Sequence, residues 1–176
     1  MENKLIHPSA VIEPGAIVAN DVTIGPFSYI GAEVILHPGV QIKSHVVVTG
    51  KTEIGQESVV YSFAVIGEIP QDLKFKGEKT SLKIGKKNQI RENVTINVGT
   101  EGGGGLTSVG NNCLFMTGSH VAHDAKIGDN VIIANCGAVA GHCVIEDDVI
   151  IGGLSGIHQF VRIGRGAIIG AVTMVT

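Results

Sequence analysis

The chain has no tryptophan, and aromatic residues make up 4% of its 176 residues against an apolar content of 44%. That balance excludes a thick core built around large rings and suits a thin, evenly filled one of Ile and Val. No segment approaches the ~20 apolar residues of a membrane span. The opening run Met1 to Pro8 enters the first repeat without an apolar stretch of signal-peptide length. Cysteine is scarce as well. Cys113, Cys136 and Cys143 have no metal-site spacing and stand at small-residue places, so they read as buried free thiols of a cytosolic protein. In that compartment the acceptor pattern Asn93-Val94-Thr95 carries no meaning.

What the chain has instead is a period of six. Aliphatic residues recur from Ile6 through Ile12 and Val18 to Ile66, again at Ile84, Ile90 and Ile96, and from Val109 to Val175; of these 26 positions only Phe115 is not Ile, Leu or Val. Six matches neither the 3.6 of a helix nor a heptad, and a strand has period two, so each hexapeptide supplies one short strand and one turn. Gly commonly follows the aliphatic, as at Gly25, Gly55 and Gly128, and a small residue takes the fifth place. The pattern predicts an all-β parallel β-helix with three sides and about 18 residues per coil, stacked at ~4.8 Å, as one domain over residues 1–176.

Two interruptions break the period. Asp72 and Glu78 occupy aliphatic places between Ile66 and Ile84, and the step from Ile96 to Val109 carries extra residues that include Gly102 to Gly105. Both read as external loops on a rigid stack, the second as a mobile flap, since it lacks the Lys-Ser/Thr of a phosphate loop. With the loops treated as insertions, Ile66, Ile96, Val121, Val139 and Ile157 share one side. That side carries His123, His142 and His158, with His120 at its leading corner, and both loops leave from it. Coil spacing then stacks His123, Gly141 and Gln159 within ~10 Å. His7, His37 and His45 read as ordinary surface histidines.

Two chemistries fit His120-Val121-Ala122-His123-Asp124. A neutral imidazole oriented by a carboxylate can take a proton from a hydroxyl. Alternatively, three imidazoles can hold zinc with an open position. Gly141 either relieves a backbone constraint at the turn or aims its N–H at a developing oxyanion. Lys74 to Arg91 contains seven of the 13 basic residues and one acid, Glu78, a local patch in a chain of net charge −3. Such a patch suits an acidic partner or a phosphate. With only Phe75 available for stacking, it argues against nucleic acid.

Gly67-Glu68 with Gln71-Asp72-Leu73-Lys74, Ile90-Arg91-Glu92, Gly102 to Leu106, His120 to Asp124, Ala140-Gly141-His142 and Ile157-His158-Gln159-Phe160 together resemble the bacterial UDP-N-acetylglucosamine O-acyltransferase family. The resemblance implies a left-handed β-helix that forms a homotrimer. It implies transfer of a β-hydroxyacyl chain from the phosphopantetheine of acyl carrier protein to the glucosamine 3-hydroxyl, the first step of lipid A synthesis, with no cofactor or metal of the enzyme's own. His123 would be the general base, Asp124 its orienting partner and Gly141 the oxyanion donor. Gln71, Asp72, Lys74, His120, His142, His158 and Gln159 would contact substrate, and Ala171 would gauge acyl length. Asn97-Val98 departs from the His-Arg of many members. The family's helical C-terminal domain is absent from this chain, which stops within a repeat at Thr176. Rival readings are the related N-acyltransferase of the same pathway, a γ-type carbonic anhydrase with histidine-bound metal, and a solenoid fragment without catalysis.

Overall fold

A computed structural model describes residues 5–176. The described strands are mostly two residues long and pair only in parallel, in three sheets of nine, eight and eight strands. Each turn of the chain visits the three sheets in order, so the expected three-sided coil is present. Parallel crossovers are usually right-handed because long twisted strands steer them. Two-residue strands carry little twist, and this coil is a left-handed parallel β-helix.

Two residues of each hexapeptide enter the core. Val121 with Ala125, Ile127 with Val131 and Val139 with Cys143 are all essentially buried. Like stacks on like, since the ladder pairs Ile66 with Ile96, Ile96 with Val121, Val121 with Val139 and Val139 with Ile157. The side assignment made from the period is therefore correct. Among the described residues no helix is long and apolar enough to cross a membrane.

The fourth place of many repeats adopts positive φ without being Gly, as at Phe27, Asn112, Asp124, His142 and Phe160. Many of the glycines act differently. A Cβ at Gly85 or Gly128 would lie 2.5 Å from a side-chain oxygen of Asn111 or Asp147, and one at Gly110 would overlap Asp129. Those oxygens accept from Lys86 N–H at 2.9 Å, Asn111 N–H at 2.7 Å and Asp129 N–H at 3.0 Å. Along this edge the Asn or Asp of one coil caps the third-place N–H of the coil before it. The glycines leave room for the cap.

The two insertions are tied together. Ser81 N–H donates to Gly105 O at 2.9 Å, and Gly99 N–H to Ser81 O at 3.2 Å. Asn97, buried, donates from Nδ2 to Glu68 O at 3.3 Å and Ile69 O at 3.0 Å, which fixes the start of the first loop. Val98 joins the core. The departure from His-Arg thus secures the loop and the core.

The inward column is filled at every level, so the core has little freedom to collapse around a deletion. Ile133, fully buried between Phe115 and Ile151, is a suitable probe. Ile133→Ala should lower stability by about 2–5 kcal/mol, read from the denaturant midpoint; a change within error would contradict the packing described.

Candidate active site

One corner of the coil collects the unusual side chains because its turns are in register. The third places are His123, Gly141 and Gln159; the fourth are Asp124, His142 and Phe160, with φ of 59°, 63° and 66°. Two of the fourth-place N–H groups bond to the backbone of the coil before, His142 donating to His123 O at 3.1 Å and Phe160 to Gly141 O at 3.2 Å.

His123 and Asp124 are both buried. The imidazole Nδ1 lies 2.8 Å from Asp124 Oδ2, which leaves Nε2 as the nitrogen free to exchange a proton. Asp124 is itself held on every side. Its Oδ1 accepts from Thr100 N–H at 2.9 Å, its Oδ2 from the Thr100 hydroxyl at 2.6 Å, and its own N–H donates to Thr107 Oγ1 at 2.8 Å. The glycine-rich loop closes over this carboxylate. A Cβ at Gly103 would overlap Asp124, and Thr100 caps the short 3-10 turn Glu101–Gly103. The flap expected from the sequence is thus a clamped cover on Asp124.

Gly141 faces the other side of the imidazole. A Cβ there would lie 2.6 Å from His123 Cε1 and 2.8 Å from Nε2. Its φ is not in the left-handed region, so the turn-relief reading fails and ring clearance replaces it. Among the described residues nothing accepts its N–H, in contrast to the Asx-capped edge. A buried N–H without a partner beside a catalytic-type imidazole is a preorganised donor.

His123 opens on a cleft of about 350 Å³ shared with Gln71, His120, Gly141, His158 and Gln159. Its remaining wall is small or apolar: Ala122, Ala138, Ala140, Gly156, Ile157 and Met174. An adjoining cleft of about 290 Å³ holds Asp72, Lys74, Thr100, His142 and Phe160. There the His142 ring stacks flat on Phe160 with centroids 4.5 Å apart, and meets His123 edge-on at 5.0 Å. Larger depressions of about 510 and 690 Å³ lie beneath the first loop and beside Pro26, so size alone would have pointed elsewhere.

The structure therefore brings together nine of the ten residues singled out as catalytic or substrate-binding in the first cleft and its neighbour: six in the first, His123 included, and, beside them, Asp72, Lys74 and His142, while Asp124, the tenth, sits behind His123. Ala171 is not among them. It is exposed at the corner where the chain enters this sheet, the opposite edge from His123. The basic segment is not one patch either. Lys83, Lys87 and Arg91 pair with Glu53, Glu57 and Glu92 around the coil, whereas Lys74, Lys76 and Lys79 stay on the first loop, with no carboxylate within ion-pair distance among the described residues. Cys136 is exposed, unlike Cys113 and Cys143; it occupies a fourth-place corner instead of a core position. Burial pushes the Cys113 thiol up to about 11.

Thr100 and Thr107 were missed by sequence reasoning. The only signal for Thr100 is a Thr three residues ahead of Gly103, the spacing of a helix cap. As for metal, His123, Asp124 and His142 offer ligand atoms within 4.8 Å of one another, and His158 is not in the group. The alternative of a three-imidazole set is therefore not what converges. Both Asp124 oxygens already accept hydrogen bonds, which fits an orienting carboxylate better than a ligand.

Two outcomes follow from this geometry. Gly141→Ala should displace the His123 ring and lower any His123-dependent turnover by about 10²-fold, and unchanged turnover would show that the ring has room to spare. Burial holds the His120 imidazole below its ordinary range, with His123 adding to the effect against the Thr95 contact. The unfolded chain then binds this proton at higher pH than the folded one, so His120 subtracts stability as pH falls through about 6.5. Wild type should lose more stability on acidification than His120→Gln, while above about pH 7.5 the difference between them should be constant.

Residues 106–141 match the bacterial transferase hexapeptide family of six repeats. The acyl-[acyl-carrier-protein]--UDP-N-acetylglucosamine O-acyltransferase of Rhizobium johnstonii is 48% identical over 175 residues, covering 99% of this chain and 64% of that protein. The enzyme of the same name from Paracoccus denitrificans is 65% identical over 118 residues, 67% of this chain and 45% of its own length. The chain thus spans less than two thirds of these curated relatives. Among solved structures, LpxA from Acinetobacter baumannii superposes with a TM-score of 0.97 at 47% identity, covering 98% of this chain and 67% of that one. The UDP-N-acetylglucosamine O-acyltransferase of Moraxella catarrhalis gives 0.96 at 42%, with the same coverage. With a fold shared along nearly its whole length and identity of this order, the chain belongs to the UDP-N-acetylglucosamine O-acyltransferase family.

Proposed function

We propose that this chain carries the catalytic centre of an acyltransferase that moves a β-hydroxyacyl chain from acyl carrier protein to the 3-hydroxyl of UDP-N-acetylglucosamine, the opening step of lipid A synthesis. The observation that carries the reading is His123 locked by Asp124 through Nδ1, with Nε2 over the cleft and an unengaged Gly141 N–H beside it.

His123 Nε2 accepts the proton of the sugar hydroxyl as its oxygen bonds to the thioester carbonyl carbon. The carbonyl oxygen becomes an oxyanion that accepts from Gly141 N–H. Collapse of this intermediate breaks the carbon–sulfur bond, and the phosphopantetheine sulfur leaves with the proton returned from the imidazolium. A positioned base contributes ~10² to 10⁴ in rate, and an oxyanion donor ~10² to 10³. Asp124 fixes the tautomer and stabilises the cation that forms transiently. No step calls for a cofactor or a metal.

The small apolar wall of Ala122, Ala138, Ala140 and Gly156 suits an acyl chain, and the adjoining cleft of Asp72, Lys74 and His142 suits a polar sugar nucleotide. His120, His158, Gln159 and Gln71 border the space where the two meet. Lys74, Lys76 and Lys79 offer a positive approach for an acidic carrier protein. The acyl-length role of Ala171 depends on the resemblance alone, since the single chain keeps it away from the cleft. A homotrimer is supported by an aliphatic row on the outer face of one sheet, Leu114, Ile132, Ile150 and Ile168. A cytoplasmic address goes with this substrate set.

The test is acyl transfer from β-hydroxyacyl carrier protein to UDP-N-acetylglucosamine, with and without chelator. Transfer should be indifferent to chelation, and His123→Ala should lower it by about 10² to 10⁴ while leaving the fold intact. Turnover retained by His123→Ala sinks the assignment of the base. Loss of activity on chelation would instead assign an ion to the His123, Asp124 and His142 group.

A further inference from the structure

Thr100 opens the glycine-rich loop, and nothing in the repeat pattern connects it with the catalytic corner. Its hydroxyl is nevertheless 2.6 Å from Asp124 Oδ2, the same oxygen that accepts from His123 Nδ1, and its N–H is 2.9 Å from Oδ1. The hydroxyl has one proton to give, and it goes to the carboxylate. Its lone pair is engaged from the other side by Gly103 N–H at 3.2 Å. The rotor is therefore fixed by two partners, and Thr100 is buried. Gly103 packs where any Cβ would overlap the carboxylate, so the loop seals Asp124 from water while Thr100 grips it.

We infer that Thr100 is a positioning residue: it acts through Asp124 to hold the His123 imidazole in the tautomer and orientation that present Nε2 to the cleft, with Gly103 as the close-fitting seal. The inference rests on the acyl transfer reading of His123 for its effect on rate, but its geometry stands apart from the identity of the substrate. Without the hydroxyl, Asp124 keeps the Thr100 N–H and the Thr107 contact yet loses the bond that sets the direction of Oδ2. The carboxylate then turns, and the imidazole loses its fixed partner. Such a change disturbs the reacting geometry without removing a substrate contact, so its signature is a fall in kcat with KM nearly unchanged.

Thr100→Val keeps the shape and deletes the donor; Thr100→Ser keeps the donor and deletes a methyl. Two readings are taken on the full chain: acyl transfer kinetics, and the low-field proton resonance of the His123 Nδ1–H, which reports the His123–Asp124 bond whether or not the protein turns over. Thr100→Val should lower kcat by about 10- to 100-fold with KM changed less than about two-fold, and should weaken or abolish the resonance. Thr100→Ser should restore both. If Thr100→Val keeps its kcat and its resonance, or if Thr100→Ser falls as far as Thr100→Val, the inference is overturned. If wild type transfers no acyl group while the resonance follows the expected order, the clamp stands and the acyl transfer reading fails. Should Thr100→Val not fold, Gly103→Ala decides: a folded Gly103→Ala protein with a disturbed resonance and reduced kcat supports the seal, and one with both unchanged refutes it.

Discussion

Parallel stacking at one fixed coil length is the constraint on which everything else in this molecule depends. A two-residue strand has no stability of its own, and a single hexapeptide turn buries nothing. Only when the next coil places its aliphatic on the one below does a core exist. The ladder pairs enforce that superposition, and the same superposition aligns whatever the corners carry. Chemistry on such a scaffold is assembled vertically. His123, Gly141 and Gln159 come from three successive coils, yet they meet without any long-range folding event beyond the addition of neighbours.

The corners also impose a hydrogen-bond accounting problem. The third-place N–H of a turn points away from the ladder, and an unpaired buried N–H is costly. On one edge the chain solves this with a column of Asn and Asp, each reaching back to the coil before it over a glycine. At the His123 corner the column is replaced by His123, Gly141 and Gln159, and among the described residues no side chain caps Gly141 N–H. The same backbone group that is structural on one edge is a free donor on the other. What separates them is the side chain on the following coil: the shorter Asn or Asp reaches back to cap the N–H, whereas Gln159, stacked over Gly141, makes no bond to it among the described residues.

Much of this was legible in the sequence because it is periodic. The six-residue aliphatic spacing fixes the coil, and the count in threes places Val121, Val139 and Ile157 on one side, from which the convergence of His123, Gly141 and Gln159 follows directly. Illegible were the contacts made by residues that have left the period. Thr100 lies 24 positions from Asp124, a separation that no multiple of 18 gives, because the second insertion lies between them. The basic segment misled for a related reason: it was read as contiguous in space because it is contiguous in sequence, whereas the coil carries Lys83 on one strand, Lys87 at the turn after it and Arg91 just past the end of the next strand, each to its own glutamate. Cys136 was misplaced by one turn position, from the core to an exposed corner.

The two insertions work as one unit around the site. Asn97 holds the start of the first loop through Glu68 O and Ile69 O, and Ser81 at its end is bonded to Gly105 and Gly99 of the second. The first loop brings Gln71 to the cleft, and the second covers Asp124. Asn97 stands two residues after Thr95, whose hydroxyl contacts His120 Nδ1 at 2.7 Å, so a single three-residue strand, Thr95–Asn97, supports a cleft histidine at one end and the first loop at the other. A rigid stack supplies the His123–Asp124 pair, and the interruptions of its period supply what a bare solenoid edge lacks: a wall to the cleft, and a dry, directed environment for the carboxylate behind the imidazole. The breaks in the repeat are as much a part of the architecture of this cleft as the repeat itself.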